Sequence, residues 1–241
     1  MLFRSSIYKD AKASETEATS IELPFDSTFE MMPTTPQDSH ERQSIFIGGA
    51  SGSGKSYFIK SYLSLYHEKF PKNKLYLVSQ AKQDKKIDSE NLPIKKLNEE
   101  DIMGTGDETP LSWEDFPEKC IVVFDDWDQM LTKDKKLGKI VQNLVDDLLS
   151  LARKKYISVI ISSHYLNNYR ASRMIMNECS HFVLFPHGAS FHSLEYLLRM
   201  YAGLSKDQIL TYVKNNPSRW VVIHKQYPLY ILTQFDCHLL K

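Results

Sequence analysis

A chain of 241 residues, 42% hydrophobic and 25% charged, is long enough for one α/β domain with a full core. Its 30 basic and 30 acidic side chains cancel, so no overall basic field draws it to nucleic acid, and any such contact must be a local patch. Cys120, Cys179 and Cys237 are far apart with no C-x-x-C, no apolar run nears a membrane span, and the first residues lack a signal-peptide core. The expectation is a soluble intracellular protein without disulfide, zinc framework or membrane-spanning segment.

Residues 1–43 hold four basic against eight acidic residues and many Ser and Thr, which reads as an acidic arm or lead-in to a domain over 44–241. "SIFIGG" from Ser44 is a strand. The helix after Lys55 sets Phe58, Ile59, Tyr62, Leu63 and Tyr66 on one face. "KLYLVS" is a second strand, and residues 80–118 read as a polar insertion with a short strand near "IKKL". "CIVVFDD" (Cys120 to Asp126) is the third clear strand. Asp134 then caps a long helix with Leu137, Ile140, Val141, Leu144, Val145, Leu148 and Leu149 on its apolar face.

"YISVIISSHYL" (Tyr156 to Leu166) starts as a buried strand and stops on Ser162, Ser163 and His164. A short helix near 169–177, the strand "HFVLF", and helices near 190–201 and 205–215 follow; Ser205 and Gln208 have capping-box spacing. "WVVIHK" and "LYILTQF", joined across Gln226, Tyr227 and Pro228, form a closing hairpin. The alternation of strands and helices predicts an α/β fold, a mostly parallel sheet sandwiched by helices with a C-terminal β-hairpin.

"GASGSGKS" fits G-x-x-x-x-G-K-S between a strand and a helix, which marks the fold as a P-loop NTPase. Gly49, Gly52 and Gly54 let the backbone curl until its N–H groups point into one anion-sized nest, and the helix N-terminus adds positive charge. Nucleotide contacts are expected over Gly49, Ala50, Ser51, Gly52, Ser53, Gly54, Lys55, Ser56 and Tyr57. Lys55 reaches the β- and γ-phosphates, and Ser56 ligates Mg²⁺. A guanine-reading [NT]-K-x-D is missing, since "TKDK" has Lys135 where the aspartate should be, so ATP is expected rather than GTP.

An apolar strand ending in two carboxylates places Asp125 to hold the Mg²⁺ water shell and Asp126 to orient and deprotonate a water. The doubled acid belongs to the hydrolytic, RecA-like (ASCE) branch of P-loop proteins, which more often has Glu second. In that branch the sensor strand lies between the phosphate-loop strand and the acidic strand. Its end faces the γ-phosphate. His164 is the preferred sensor and Ser163 the second choice, against the plainer reading that both cap a strand end.

The order "GASGSGKS", "CIVVFDD", "LARKKYISVIISSHYL" over residues 44–185 resembles the FtsK–HerA group of P-loop ATPases. It is most similar to the genome-packaging ATPases of large double-stranded DNA viruses and virophages, and "SRWVVIHKQYP" also looks like this viral branch. Cellular members usually have Gln at the sensor position, where this chain has Ser-His. The resemblance implies a ring oligomer that pumps double-stranded DNA with ATP and Mg²⁺, partnered by capsid or portal-vertex proteins, in the virion or host cytoplasm. It also implies an arginine before the sensor strand that reaches the neighbour's ATP. Arg153 occupies that place, with Arg170 and Arg173 as rivals and a basic helix C-terminus as the structural alternative. Lys133, Lys135, Lys136 and Lys139 gather at a helix start, where cations oppose the dipole; they suit DNA phosphates or a solvated face. His181, His187 and His192 with Cys179 fit no compact metal-ligand spacing. A nucleoside or nucleotide kinase and a non-hydrolysing P-loop scaffold are the competing functions.

Overall fold

Segments such as "IVVF" and "SVIISS" are short and almost uniformly apolar, and they become strands covered on both faces. The computed structural model describes residues 19–22, 31, 33, 42–80, 87, 92–105, 109–166 and 171–240. Its strands are β1 (Thr19–Glu22), β2 (Ser44–Gly48), β3 (Leu75–Val78), β4 (Ile94–Leu97), β5 (Ile121–Phe124), β6 (Ser158–Ser163), β7 (His181–Leu184), β8 (Val221–His224), β9 (Tyr230–Thr233) and β10 (Asp236–Leu239). They form one ten-stranded sheet in the order β1-β10-β9-β8-β7-β2-β6-β5-β3-β4. From β4 to β7 all neighbours are parallel; β8, β9, β10 and β1 continue the sheet antiparallel. The sheet is mixed, mostly parallel where the motifs lie, and β6 stands between β2 and β5 as expected.

The helices are α1 (Lys55–Lys69), α2 (Glu99–Met103), α3 (Trp127–Lys133), α4 (Lys135–Ser150), α5 (Arg173–Glu178), α6 (Phe191–Ala202) and α7 (Lys206–Gln208), which runs on as a π-helical stretch, Ile209–Lys214. The two-residue period of the strands sorts the core into two layers. Ile45, Ile47, Val123 and Ile160 pack with Ile59, Tyr62 and Leu63 of α1. Phe46, Val122, Phe124 and Ile161 pack with Val141, Leu144, Val145 and Leu148 of α4. Asp134 caps α4, its carboxylate accepting the Leu137 N–H at 2.8 Å. At the other end Arg42 donates to the carbonyls of Leu148 and Leu149, and to that of Ile157 at 3.2 Å.

Four elements differ from the sequence reading. β1 and β10 are four-residue strands paired with each other at one side of the sheet, β1 at its edge, and only tertiary context makes them strands. α2 sits inside the polar insertion, fixed by an Asn98–Asp101 capping box. α3 follows the acidic pair directly, and the lysine cluster spans its end and the Asp134-capped start of α4, the helix start expected for it. Most of residues 1–43, and Arg170, lie outside the described residues. Among the described residues no helix is long and apolar enough to cross a membrane.

Gly138 shows how tightly α3 and α4 meet. A Cβ there would fall 2.8 Å from the Leu131 carbonyl oxygen and 3.0 Å from its Cα, both backbone atoms with nowhere to retreat. Gly→Ala inside a helix ordinarily stabilises by ~0.5–1 kcal/mol. Gly138→Ala is expected to reverse that sign and cost about 1–3 kcal/mol, read as a lower midpoint in chemical denaturation.

Candidate functional site

The register of the parallel strands brings the motifs to one edge. Gly48 of β2 pairs with Ser163 of β6, and Phe124 of β5 pairs with Ile161, so the phosphate loop, Ser162 and the acidic pair lie side by side. The Gly49 N–H donates to the Ser163 carbonyl at 3.2 Å, tying the loop to the end of β6. Gly52 and Gly54 adopt positive φ of 75° and 116°, which a side chain would resist. Gly49 is needed for closeness: a Cβ there would lie 2.8 Å from Ser53 Oγ and 2.9 Å from Phe185 Cβ.

Lys55 is buried, its ammonium donating to the carbonyls of Gly49 at 2.8 Å and Ala50 at 3.3 Å. Burial pulls its pKa down, and the carboxylates of Asp126, Asp125 and Asp128 oppose that shift. The three acids are therefore the electrostatic counterweight to the loop lysine. A cleft of about 830 Å³ is lined by Ser51, Gly52, Gly54, Lys55, Ser56, Tyr57, Asp126, His164 and Arg219, among others. Apart from Gly49, Ala50 and Ser53 in the loop itself, the expected nucleotide-binding residues line this space.

Asp125 is buried, and its Oδ1 accepts the Ser162 hydroxyl at 2.7 Å. The same hydroxyl oxygen accepts the Asp126 N–H at 2.8 Å. Ser162 thus clamps both acids to β6, a role the sequence reading left unassigned. Asp126 has φ 52° and ψ 46°, the left-handed region, and serves as N-cap of α3. That conformation costs about 1–2 kcal/mol for most residues and less for Asp or Asn.

Of the two sensor candidates, His164 faces the cleft. Its Nδ1 lies 3.5 Å from Asp126 Oδ1, 3.7 Å from Asp128 Oδ2 and 3.3 Å from Gln129 Nε2. Its backbone N–H points to the buried Asp128 carboxylate at 3.3 Å and 3.4 Å. The Ser163 hydroxyl is turned back on its own chain, donating to the Tyr165 carbonyl at 2.9 Å and accepting the Tyr165 N–H at 3.1 Å. Asp128, Ser162 and Arg219 were missed. A third acid two residues past the pair was the visible signal for the first, but the others depend on strand register.

Arg153 is exposed on a 3-10 turn, Ala152–Lys155, that precedes β6. It lies at the opposite edge of the sheet, about 17 Å away along the strand, and cannot serve the cleft of its own subunit. Arg173 is exposed in the first turn of α5. Lys135, Lys136 and Lys139 are exposed, and Lys133 pairs with Glu99.

Among the described residues no group of three or more His, Cys, Asp or Glu side chains could hold a metal ion by itself. Mg²⁺ does not need one, because it binds through one or two protein oxygens with the rest from water and phosphate. Ser56, on the cleft, and Asp125, held by Ser162, are hard-oxygen ligands that fit that requirement.

The uncharacterized protein V3 of Sputnik virophage is 33% identical over 196 residues, covering 79% of this chain and 74% of V3. The chain belongs to the family of protein V3. No family model matches it. The genome packaging NTPase B204 of Sulfolobus turreted icosahedral virus 2, in complex with ATP-γS, superposes with a TM-score of 0.54 at 13% identity, covering 80% of this chain and 98% of B204. The pCW3 conjugation coupling protein TcpA gives a TM-score of 0.57 at 14% identity, covering 94% of this chain and 68% of TcpA. The V3-family chain therefore has the fold of the FtsK–HerA-type P-loop ATPases, and its relative V3 is a virophage protein.

Ser162→Ala removes a charge-assisted hydrogen bond worth about 1.5–3 kcal/mol and is expected to lower nucleotide turnover at least about tenfold. Ser163→Ala should leave turnover within about twofold, since its hydroxyl serves a local turn. Steady-state phosphate release from the two variants checks the contrast.

Proposed function

We propose that this chain is the ATP-hydrolysing subunit of a ring-shaped translocase that packages double-stranded viral DNA into its capsid. The observation that carries the reading is the meeting of Lys55, Ser56, Asp126 and His164 on one cleft, with Asp125 clamped beside it by Ser162. The names of two proteins that share the fold, a genome packaging NTPase and a conjugation coupling protein, support a DNA-handling role.

On this reading the loop N–H groups cradle the triphosphate, and the Lys55 ammonium leaves the Gly49 and Ala50 carbonyls for the β- and γ-phosphate oxygens. Ser56 and Asp125 hold Mg²⁺, which neutralises charge on the phosphates when bound. Asp126, turned onto the cleft by its left-handed backbone, accepts a proton from the attacking water. The water oxygen forms its bond to the γ-phosphorus as the bond to the β–γ bridging oxygen breaks, leaving ADP and phosphate. His164 touches both Asp126 and the space before it, which suits a reporter of that change. Asp128 fixes the His164 backbone. Arg153 serves the cleft of the next subunit in the ring, contributing about three to five orders of magnitude in turnover.

The exposed lysines at the α3–α4 junction contact DNA phosphates without reading sequence. Capsid or portal-vertex proteins are the remaining partners, and the virion or host cytoplasm is the setting. Phosphoryl transfer to a nucleoside or nucleotide is the competing chemistry. Release of free phosphate, rather than a labelled nucleoside, separates the two.

ATPase activity is expected to rise with double-stranded DNA and to fall on dilution as rings dissociate. Activity indifferent to both would sink the proposal. Asp126→Asn keeps a residue that tolerates the left-handed backbone, so it should fold and bind ATP while losing about 10²–10⁴-fold in turnover. Arg153→Ala should be inactive alone. Mixing the two inactive proteins should restore activity, because an intact Arg153 then faces an intact Asp126 across an interface. Confirmed mixed rings without recovery would exclude Arg153 as a residue acting in trans.

A further inference from the structure

The helix that leads towards Arg153 ends without a cation of its own. α4 has no basic residue in its last turn, although its final carbonyls form the negative end of the helix dipole and lack partners within the helix. The cation comes from far back in the chain. Arg42 donates to the carbonyls of Leu148 and Leu149, in the last turn of α4, and at 3.2 Å to that of Ile157, just before β6. One guanidinium therefore bridges the two ends of the segment that contains the 3-10 turn Ala152–Lys155.

The turn itself is held at most of its points. Ala152 is fully buried, and its carbonyl accepts the Ile157 N–H at 3.3 Å. The Tyr156 N–H donates to the Arg153 carbonyl at 3.0 Å. The Lys155 ammonium donates to the Glu114 carbonyl and, at 3.1 Å, to that of Phe116, and it lies 5.5 Å from the centre of the Trp113 ring. Arg153 and Lys154 are left exposed on a fixed mount. Burial pulls the Arg42 guanidinium down to about 10, against Cys179 and Glu178, and the nearby charge of Arg153 adds to the fall. Like charges repel, so the buried guanidinium disfavours any inward fold of the Arg153 side chain.

Arg42 is placed by the strand that carries the phosphate loop. The next residue, Gln43, accepts the Val159 N–H at 3.0 Å and donates its own N–H to Ser158 Oγ at 3.3 Å. β2 then runs from Ser44 to Gly48, where the loop begins, so one strand bears Arg42 at one edge of the sheet and the loop at the other. We infer that Arg42 is the positioning residue for Arg153, locking the end of α4 to the start of β6 so that Arg153 is presented to the neighbouring subunit. This rests on the proposed role of Arg153 in trans and adds what holds it in place. A planar fork of donors reaches carbonyls of two elements at once, which a lysine ammonium does not reproduce.

Mixed rings of the full chain supply the test. Arg42→Lys keeps a cation at the end of α4 but loses the fork, and Arg42→Gln is the second variant should the first not fold. Either should keep the ATP affinity of the unmodified chain, since the cleft of its own subunit lies at the opposite edge. Turnover should fall at least about tenfold, because a misplacement of about 1 Å can cost about 10²-fold. Mixed with Asp126→Asn, the variant should recover activity, because the Asp126→Asn subunit then offers a well-held Arg153 to an intact cleft. Mixed with Arg153→Ala it should not, because no subunit in that ring presents Arg153 correctly. A residue that only stabilised the fold would not divide the two partners in this way. Recovery with Arg153→Ala, no recovery with Asp126→Asn, or unmodified turnover in the variant alone would overturn the positioning role while the role of Arg153 stands. If Arg153→Ala and Asp126→Asn do not restore each other in confirmed mixed rings, both roles fall together.

Discussion

The parallel register of β2, β6 and β5 sets Gly48 opposite Ser163 and Phe124 opposite Ile161, and the whole cleft depends on it. A slip of one residue would turn every side chain of β6 to the other face. Ser162 would leave Asp125, and the Asp126 N–H would lose its acceptor. Two core layers hold that register, because Ile160 and Ile161 are fully buried on opposite faces of the sheet under α1 and α4. The chemistry at the strand ends is therefore positioned by hydrophobic packing deeper in the sheet. The hydroxyl of Ser162 converts that packing into a fixed place for two carboxylates.

Charge balance at the same edge holds the site's polar groups together. A buried ammonium without counter-charge is costly, and burial does depress Lys55. Three acids face it through the cleft, and two loop carbonyls take its hydrogen bonds. Asp125 in turn needs a donor, which Ser162 supplies. Asp128 takes the backbone N–H of His164. Lys55, Asp125 and the His164 N–H are each held by a group from a different strand, helix or loop, so loosening one loosens the rest.

The phosphate loop, the acidic pair and the long amphipathic helix were legible because each is a local pattern of spacing and residue type. Asp134 as the cap of α4 followed from the same patterns, while the strand order β2-β6-β5 followed from the likeness to the hydrolytic P-loop branch. Ser162 was not legible as a clamp. It looks like one more small residue in "ISSH", and only the pairing of Phe124 with Ile161 puts it next to Asp125. Arg219 and Trp220 were quoted within a motif but had no place, because their nearness to Gly54 depends on β8 pairing with β7. The strands β1 and β10, four residues each, are too short for an apolar period to announce them. The left-handed turn at Asp126 was equally hidden, since no glycine announces it.

That turn bears on the departure from the more common Asp-Glu pair. A residue in the left-handed region must tolerate a close Cβ, and a short polar side chain does so at lower cost than a longer one. The chain enters α3 immediately after, with Trp127 fully buried behind it, so the backbone at 126 has little freedom to relax. A glutamate would gain a methylene of reach and pay for it in backbone strain. Asp126 instead reaches the cleft through its backbone geometry, with His164 3.5 Å away on the next strand. In this family member the approach of the second acid to His164 thus depends on that turn.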